Sequence, residues 1–401
     1  MTRRPRVLLA SRLFVPEAAA ATFRLRALVT ALAGRAQVEV LTTDPPPALR
    51  SSRHGPDDEV PDGVLVRRWP ALRDATGYVR GYLPYLSFDL PLALRLLLAD
   101  RPDVVVVEPP PTTGAVVRTT LALRGLRGGR IPYVYYAADV WSDATASMGA
   151  PAPVVAAMRW VERFALRGAR DVVAVSDGVA DRVRSLAGEE APVTVVPNGV
   201  DTDVFTPEGP TSPEAPRTPY LIYAGTASEW QGAEIFAAAM PQVLAQVPAA
   251  RLVFLGQGSS WPGLERLRDE LPAGAVELRP LAPPAEAAAW QRGAAAALVS
   301  VRPGIGYDFA YPTKVLAALA CGTPVVHAGP GPAGEDLRRH DLGEAVAYDV
   351  DEVARAMVRT LRGAPAGDAN RARRSAWVQA HRSLRATGRR VADLVLPPPE
   401  C

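Results

Sequence analysis

Lysine is almost absent from this chain. Of 45 basic side chains only Lys314 is a lysine, and the rest are arginines. Cysteine is nearly missing too: Cys321 and Cys401 cannot build a disulfide framework and have no metal-ligand spacing. Four scattered histidines, His54, His327, His340 and His381, form no assignable Ser/His/Asp set, so spacing supports no histidine general base. No window approaches 18 uninterrupted apolar residues, and the best, Leu86 to Ala99, is broken by Asp89, Pro91 and Arg95. Met1 to Phe14 carries arginines on both sides of a very short apolar stretch, which reads as a first strand and not a signal peptide. Net charge is only +3, which does not imply nucleic-acid binding. These absences lead us to expect a cytoplasmic protein, at most peripherally attached to the inner face of a membrane. The cluster Arg371, Arg373, Arg374, Arg382, Arg385, Arg389 and Arg390 near the C-terminus reads first as a solvated helix face. Attraction to an anionic surface is the second reading.

The exceptional lysine is well placed. It lies in Tyr311-Pro312-Thr313-Lys314, just before an alanine-rich run that stops at Cys321-Gly322-Thr323-Pro324. Proline at the first helical position and Gly-x-Pro past the end frame a short helix. The N–H groups of Thr313, Lys314 and Val315 would open that helix toward an anion. Arginine is a planar fork, whereas lysine is a point charge on a flexible stem that can follow a phosphate oxygen. A helix N-terminus with one lysine is a diphosphate site in outline.

With 401 residues and 48% hydrophobic content, the chain should hold two cores. Short β-branched runs recur: Val7–Ala10, Val38–Thr42, Val104–Val107, Tyr133–Ala137, Val172–Val175 and Val193–Val196. They are nearly continuously apolar, as strands buried on both faces of a parallel sheet must be. Amphipathic helical patterns such as Phe23–Ala33 and Val154–Arg167 lie between them. The second half repeats the scheme from Leu221–Tyr223 through Ala345–Ala347. The expected fold is α/β, with two doubly wound Rossmann-like domains. We place the first at 1–198 and a Pro/Ser/Thr/Glu-rich hinge at 199–219. The second follows at 220–375, and a C-terminal helix and tail, 376–401, is expected to pack back on the first domain. The carboxyl-end rule for open sheets then puts the site in a cleft between the two.

Two motifs mislead. Gly256-Gln257-Gly258 follows a strand, but Trp261 stands where the third glycine of a dinucleotide fingerprint belongs. The triplets Asp201/Asp203 and Asp349/Asp351 suggest a metal-bound nucleotide, yet one lies in a turn and the other at a helix start. We expect no metal site.

Several segments together resemble the retaining glycosyltransferases of family 4, which have the GT-B fold. Pro197-Asn198-Gly199-Val200-Asp201 with Phe205 is similar to their hinge signature, and Tyr223-Ala224-Gly225-Thr226 with Gln231-Gly232 to the first loop of the donor domain. Pro312-Thr313-Lys314 through Val326 resembles the donor diphosphate helix, in the manner of a subgroup building cell-surface polysaccharides. Ala138-Asp139-Val140-Trp141 resembles an Asp-Leu-Trp motif of that subgroup's acceptor domain. Two departures stand out. The family's two acidic residues around the diphosphate helix fall here on Phe309 and Ala317, with Asp308 one position early. The lysine expected after the Gly225 loop is replaced by Gln231.

The resemblance implies metal-independent transfer of a sugar from a nucleoside diphosphate sugar, with retained configuration and no further cofactor. The acceptor would be a glycan, a lipid-linked saccharide or a small molecule. Lys314, Thr313 and Val315 would hold the diphosphate, with Arg302 as a second cation or as a partner of Asp308. Gly225 and Thr226 would admit the phosphates to the backbone, and Arg279 and Leu281 occupy the place of the nucleotide base. Asp139 would serve the reacting sugar or acceptor hydroxyl, or else cap the following helix. The series Tyr78, Tyr82, Tyr85, Phe88 would either meet an acceptor lipid or pack in the interior. A non-catalytic subunit that has lost the ribose-binding carboxylate, and a sugar epimerase, are the competing classes.

Overall fold

A computed structural model describes residues 3–17, 19–46, 49, 60–74, 79, 81–126, 128–147, 149–363 and 367–397. His54 and Tyr78 lie outside these residues, as does Cys401. The chain divides into two compact units, Met1–Asn198 with Leu384–Cys401, and Gly199–Ser383.

The first unit contains β1 (Arg6–Ala10), α1 (Ala20–Ala33), β2 (Gln37–Thr43), β3 (Leu65–Trp69), α2 (Tyr82–Leu98), β4 (Val104–Val107) and α3 (Pro111–Gly125). It continues with β5 (Tyr133–Ala137), α4 (Trp141–Ser147), α5 (Ala152–Gly168), β6 (Asp171–Ala174), α6 (Asp177–Ala187) and β7 (Val193–Val195). The second unit contains β8 (Tyr220–Thr226), α7 (Glu234–Gln246), β9 (Arg251–Gln257), α8 (Trp261–Asp269), β10 (Val276–Arg279), α9 (Pro284–Gly293) and β11 (Ala296–Ser300). After these come α10 (Thr313–Ala320), β12 (Val325–Ala328), α11 (Pro332–Arg339), β13 (Gly343–Val346), α12 (Val350–Arg362) and α13 (Asp368–Arg382). The final helix, α14 (Leu384–Val395), returns to the first unit.

Both sheets are parallel, in the orders β3-β2-β1-β4-β5-β6-β7 and β10-β9-β8-β11-β12-β13. The order reverses between β1 and β4 in one unit and between β8 and β11 in the other. At such switch points the connecting helices leave on opposite faces and a crevice opens at the strand carboxyl ends. The central strands are sealed on both faces: Val104 to Val107 are all buried, and Tyr133 to Ala137 likewise. Val134 and Tyr136 share a core with Leu25, Leu28 and Val391.

The C-terminal arginines are mostly engaged. Arg371 donates to Cys321 O, Arg374 to Leu342 O and Gly322 O, and Arg373 to His340 O, tying the 368–382 segment to the second unit. Arg382 pairs with Asp336 at 3.1 Å. The return to the first unit therefore begins at Leu384 and not at 376. There Gly388 lets α14 lie against α1, since a Cβ at 388 would stand 2.4 Å from Ala27 O. Thr387 Oγ1 donates to Pro197 O at 3.1 Å.

Candidate functional site

The switch point of the second unit gathers the lysine, the Gly225 loop and Arg302. Gly225, near the end of β8, has φ +116°, in the left-handed region that only glycine adopts readily. A Cβ at 225 would stand 3.2 Å from Lys314 Cε, so the same glycine gives the lysine stem its passage. Gly256 and Gly258 serve this packing too. Their Cβ atoms would lie 2.0 Å from Gly225 O and 2.2 Å from Ala227 O. The Gly-Gln-Gly triplet is a close approach of β9 to the β8 loop.

Lys314 Nζ lies 5.2 Å from the centroid of the Tyr223 ring, a cation–π placement. Among the described residues no carboxylate pairs with it. The side chain is half-buried, and burial alone pushes its pKa down to about 7. A cation without a counter-ion at a strand end is electrostatically incomplete. The helix above it adds to this. α10 begins after Pro312 with no side-chain cap, leaving the amides of Thr313 and Lys314 at its opening. Val315 is not part of that opening: its N–H bonds Pro312 O at 3.1 Å and its side chain is in the core.

The loop after β8 is held by Gln231 from within and by Tyr348 from the segment after β13. Gln231 is buried, and its Oε1 accepts from Tyr223 Oη at 3.1 Å and from Ser228 N at 3.0 Å. Tyr348 Oη donates to Gly232 O at 2.7 Å. Thr226 ends exposed beside this loop. Arg302 is exposed, and its N–H donates to Trp230 O at 2.9 Å, which links the loop after β11 to the loop after β8. Trp230 in turn stacks on Tyr307 at 5.0 Å. The considered pair with Asp308 is not formed, because Asp308 accepts from Gly304 N at 3.0 Å.

Arg279 and Leu281 stand apart from this group. They close β10, the sheet edge two strands from β8. The Arg279 guanidinium pairs with Glu277 at 2.8 Å and with Glu214, and lies 4.8 Å over Trp290. Leu281 is solvent-exposed. The two acidic triplets are also explained locally. Asp201 accepts from Asp203 N in a turn, while Asp349 caps α12 by accepting from Asp351 N and Glu352 N. Among the described residues no group of three His, Cys, Asp or Glu is placed to hold a metal ion.

The switch point of the first unit carries a charge cluster absent from the sequence reading. Glu108, directly after β4, accepts from Ser11 Oγ at 2.9 Å and from Arg24 Nη2 at 2.9 Å. Arg24 also reaches Asn198 Oδ1 at 3.4 Å and stands 5.3 Å over the Tyr136 ring. Arg24 and Glu108 are both buried. Asp139 follows β5 beside them. The residue is exposed to solvent at the surface, while the protein groups around its carboxyl desolvate it. This desolvation raises its pKa to about 6 against the pull of Arg24, with Glu108 and Glu162 adding to the rise.

Asp139 does not cap α4. Glu162 does so from α5, accepting from Trp141 N at 2.8 Å and Ser142 N at 3.0 Å. That leaves the Asp139 carboxylate available to a ligand. Trp141 and Tyr85 meet edge to face at 5.7 Å, with the Arg12 guanidinium 5.4 Å and 4.8 Å from their rings. Of the aromatic series, Phe88 is core and Tyr85 belongs to this group. Glu108 was findable, as a carboxylate ending a four-valine strand at a switch point. Glu162, one acid among many on an amphipathic helix, was not.

Two parallel doubly wound sheets in succession, with the solved structures that align over nearly the whole chain, give a GT-B architecture. Residues 20–199 match the family described as glycosyl transferase 4-like domain, and 218–363 match glycosyl transferases group 1. Each half of the chain thus matches a glycosyltransferase domain, one after the other. Two D-inositol 3-phosphate glycosyltransferases are similar over part of the chain. That of Segniliparus rotundus is 32% identical over 36% of this chain and 33% of its own. That of Xylanimonas cellulosilytica is 31% identical over 41% and 43%. The matches thus span less than half of either relative. Solved structures agree in fold over nearly the whole chain. Sucrose-phosphate synthase from Thermosynechococcus elongatus aligns with TM-score 0.71 and 18% identity over 98% of both chains. The Anabaena HepE protein in complex with UDP and glucose aligns at 0.69 and 16%, over 98% of this chain and 99% of that one.

Proposed function

We propose that the protein transfers a glycosyl group from a nucleoside diphosphate sugar to an acceptor hydroxyl, retaining anomeric configuration and needing no metal ion. The observation that carries this reading is Lys314: a half-buried ammonium with no counter-ion among the described residues, at an uncapped helix start. When the bond from the anomeric carbon to the β-phosphate oxygen breaks, negative charge grows on that phosphate. Lys314, the amides of Thr313 and Lys314, and the Arg302 guanidinium supply fixed positive potential there. The acceptor oxygen bonds to the anomeric carbon from the face the phosphate leaves. Its proton passes to the departing phosphate, so the products are the glycoside and a nucleoside diphosphate. Asp139 orients the acceptor hydroxyl or the sugar. The acceptor class is a glycan, a lipid-linked saccharide or a small polyol, in keeping with the inositol phosphate named for the curated relatives. Uridine diphosphate, bound by the Anabaena protein, is the first nucleotide to try. The reading as a non-catalytic subunit is weaker, since Gln231 is a buried organiser of the loop and not a vacant position.

A thermal-shift panel of nucleotide sugars, followed by turnover in the presence of chelator, tests the proposal. At least one nucleoside diphosphate sugar should raise the melting temperature and be consumed with chelator present. No shift with any member of the panel contradicts it.

A further inference from the structure

The solvent face of α2 is unlike any ordinary surface helix. Leu83, Leu86, Leu90, Leu94, Leu97 and Leu98 are each between 45% and 76% exposed. Leu83, Leu86, Leu90, Leu94 and Leu97 recur at three- and four-residue steps and form one stripe with Leu98 beside its end, and the only acid in the helix, Asp89, is buried. A soluble helix puts charge on this face; here the apolar residues of the other face, Phe88, Leu92 and Leu96, are already in the core. The patch extends sideways. Leu72 N donates to Ser87 Oγ of α2 and Trp69 lies beneath Arg95 of the same helix, and both Leu72 and Trp69 are exposed. Beyond the helix end, Leu123 and Leu126 of the following helical segment are exposed as well. A contiguous apolar area of this kind marks an interaction surface.

The charges at its margin choose the partner. Arg95 stands 5.2 Å over the Trp69 ring, Arg124 donates to Leu96 O and Ala99 O, and Arg101 donates to Gly129 O. Among the described residues none of the three is paired with a carboxylate. The acids nearby are already neutralised, Glu39 by Arg67 and Asp100 by Arg6. A second copy seated here by a two-fold axis would set these guanidinium groups against themselves. Leucines flanked by arginines and an edge tryptophan match instead the boundary of a bilayer with negative headgroups. No helix among the described residues is long and apolar enough to cross a membrane.

We infer that the α2 leucine face is a docking surface for an anionic lipid bilayer, on which the helix lies in the plane of the membrane. The inference is independent of the donor-site reading. The same helix turns Tyr85 inward to Trp141 and Arg12, so docking would bring the lipid boundary to the elements that hold Asp139.

Flotation with vesicles of phosphatidylcholine alone, and of phosphatidylcholine with phosphatidylglycerol, tests it. The full chain should float with the anionic vesicles, less so as salt rises, and not with the neutral ones. The triple variant Leu86→Ser, Leu90→Ser, Leu94→Ser should reduce that partition by roughly tenfold or more. Because these side chains face solvent, the variant should melt like the parent and bind nucleotide equally well. Equal partition of parent and variant overturns the inference, and so does a parent that ignores anionic vesicles. A parent that is dimeric by light scattering and ignores vesicles, with a monomeric variant, overturns it in favour of self-association.

Discussion

Lys314 and Asp139 both depart from their solution behaviour, because desolvation by the surrounding protein disfavours the charged form of each. Asp139 has a pKa raised from 3.8 to about 6, so its ionised form is disfavoured in the folded protein. Between those values the folded state holds more protons than the unfolded one, and stability falls as pH rises through that window. Asp139→Asn should therefore melt no lower than the parent at pH 7, and its melting should lose that part of the pH dependence. Its turnover should drop by roughly two orders of magnitude. A variant with unchanged turnover would remove Asp139 from the reaction. Gly225 is as specific as either charge. Alanine there would strain a left-handed backbone and press on the lysine stem, weakening nucleotide binding without touching a charge.

Elements place these groups, and one of them depends on a single distant side chain. The short helix Trp141–Ser147 begins at two amides held by Glu162, a buried carboxylate on another helix. Glu162→Ala should cost about 2 kcal/mol in denaturant unfolding and change the fluorescence of Trp141, while Glu162→Gln keeps part of the cap. A silent Glu162→Ala would mean that the helix start is held otherwise. The strands were legible because those buried on both faces have nowhere to put a polar residue, and Val104–Val107 is the plainest case. The edge strand Leu65–Trp69 was not legible. Exposed on alternate residues, it carries Arg67 and Arg68 and presents no apolar run. Site residues divide in the same way. Lys314 and Gly225 announce themselves by rarity and position. Ser11, Arg24 and Glu108 meet only because β1, α1 and β4 converge at a switch point, a meeting that spans 97 residues of chain between Ser11 and Glu108. Arg279 shows the reverse error, since its place in the sequence suits a ligand while its guanidinium is taken by Glu277 and Glu214.

At the scale of the whole molecule, two doubly wound units each expose a switch point, and the chain finishes by crossing back from the second to the first at Leu384. Acid stability of the whole should bear the mark of one core residue. His327, on β12 next to the edge of the second sheet, is fully buried with neither ring nitrogen hydrogen-bonded among the described residues, and burial, aided by Arg338, lowers its pKa to about 4. Between pH 6.5 and 4 the unfolded chain binds the proton that the folded one refuses, so stability falls as pH drops, by up to about 3 kcal/mol from this group. His327→Leu should flatten that part of the pH profile in denaturant titrations, and an unaltered profile would clear His327 of the effect. Burial lowers the pKa of Lys314 to about 7, and a bound diphosphate should restore its charge. Calorimetric titration of a nucleoside diphosphate at pH 8, in two buffers of different ionisation enthalpy, tests it most directly. Binding should take up close to one proton, and Lys314→Met should lose both that uptake and roughly a hundredfold in affinity. Equal affinity in the variant, or binding with no proton uptake in the parent, would contradict the account.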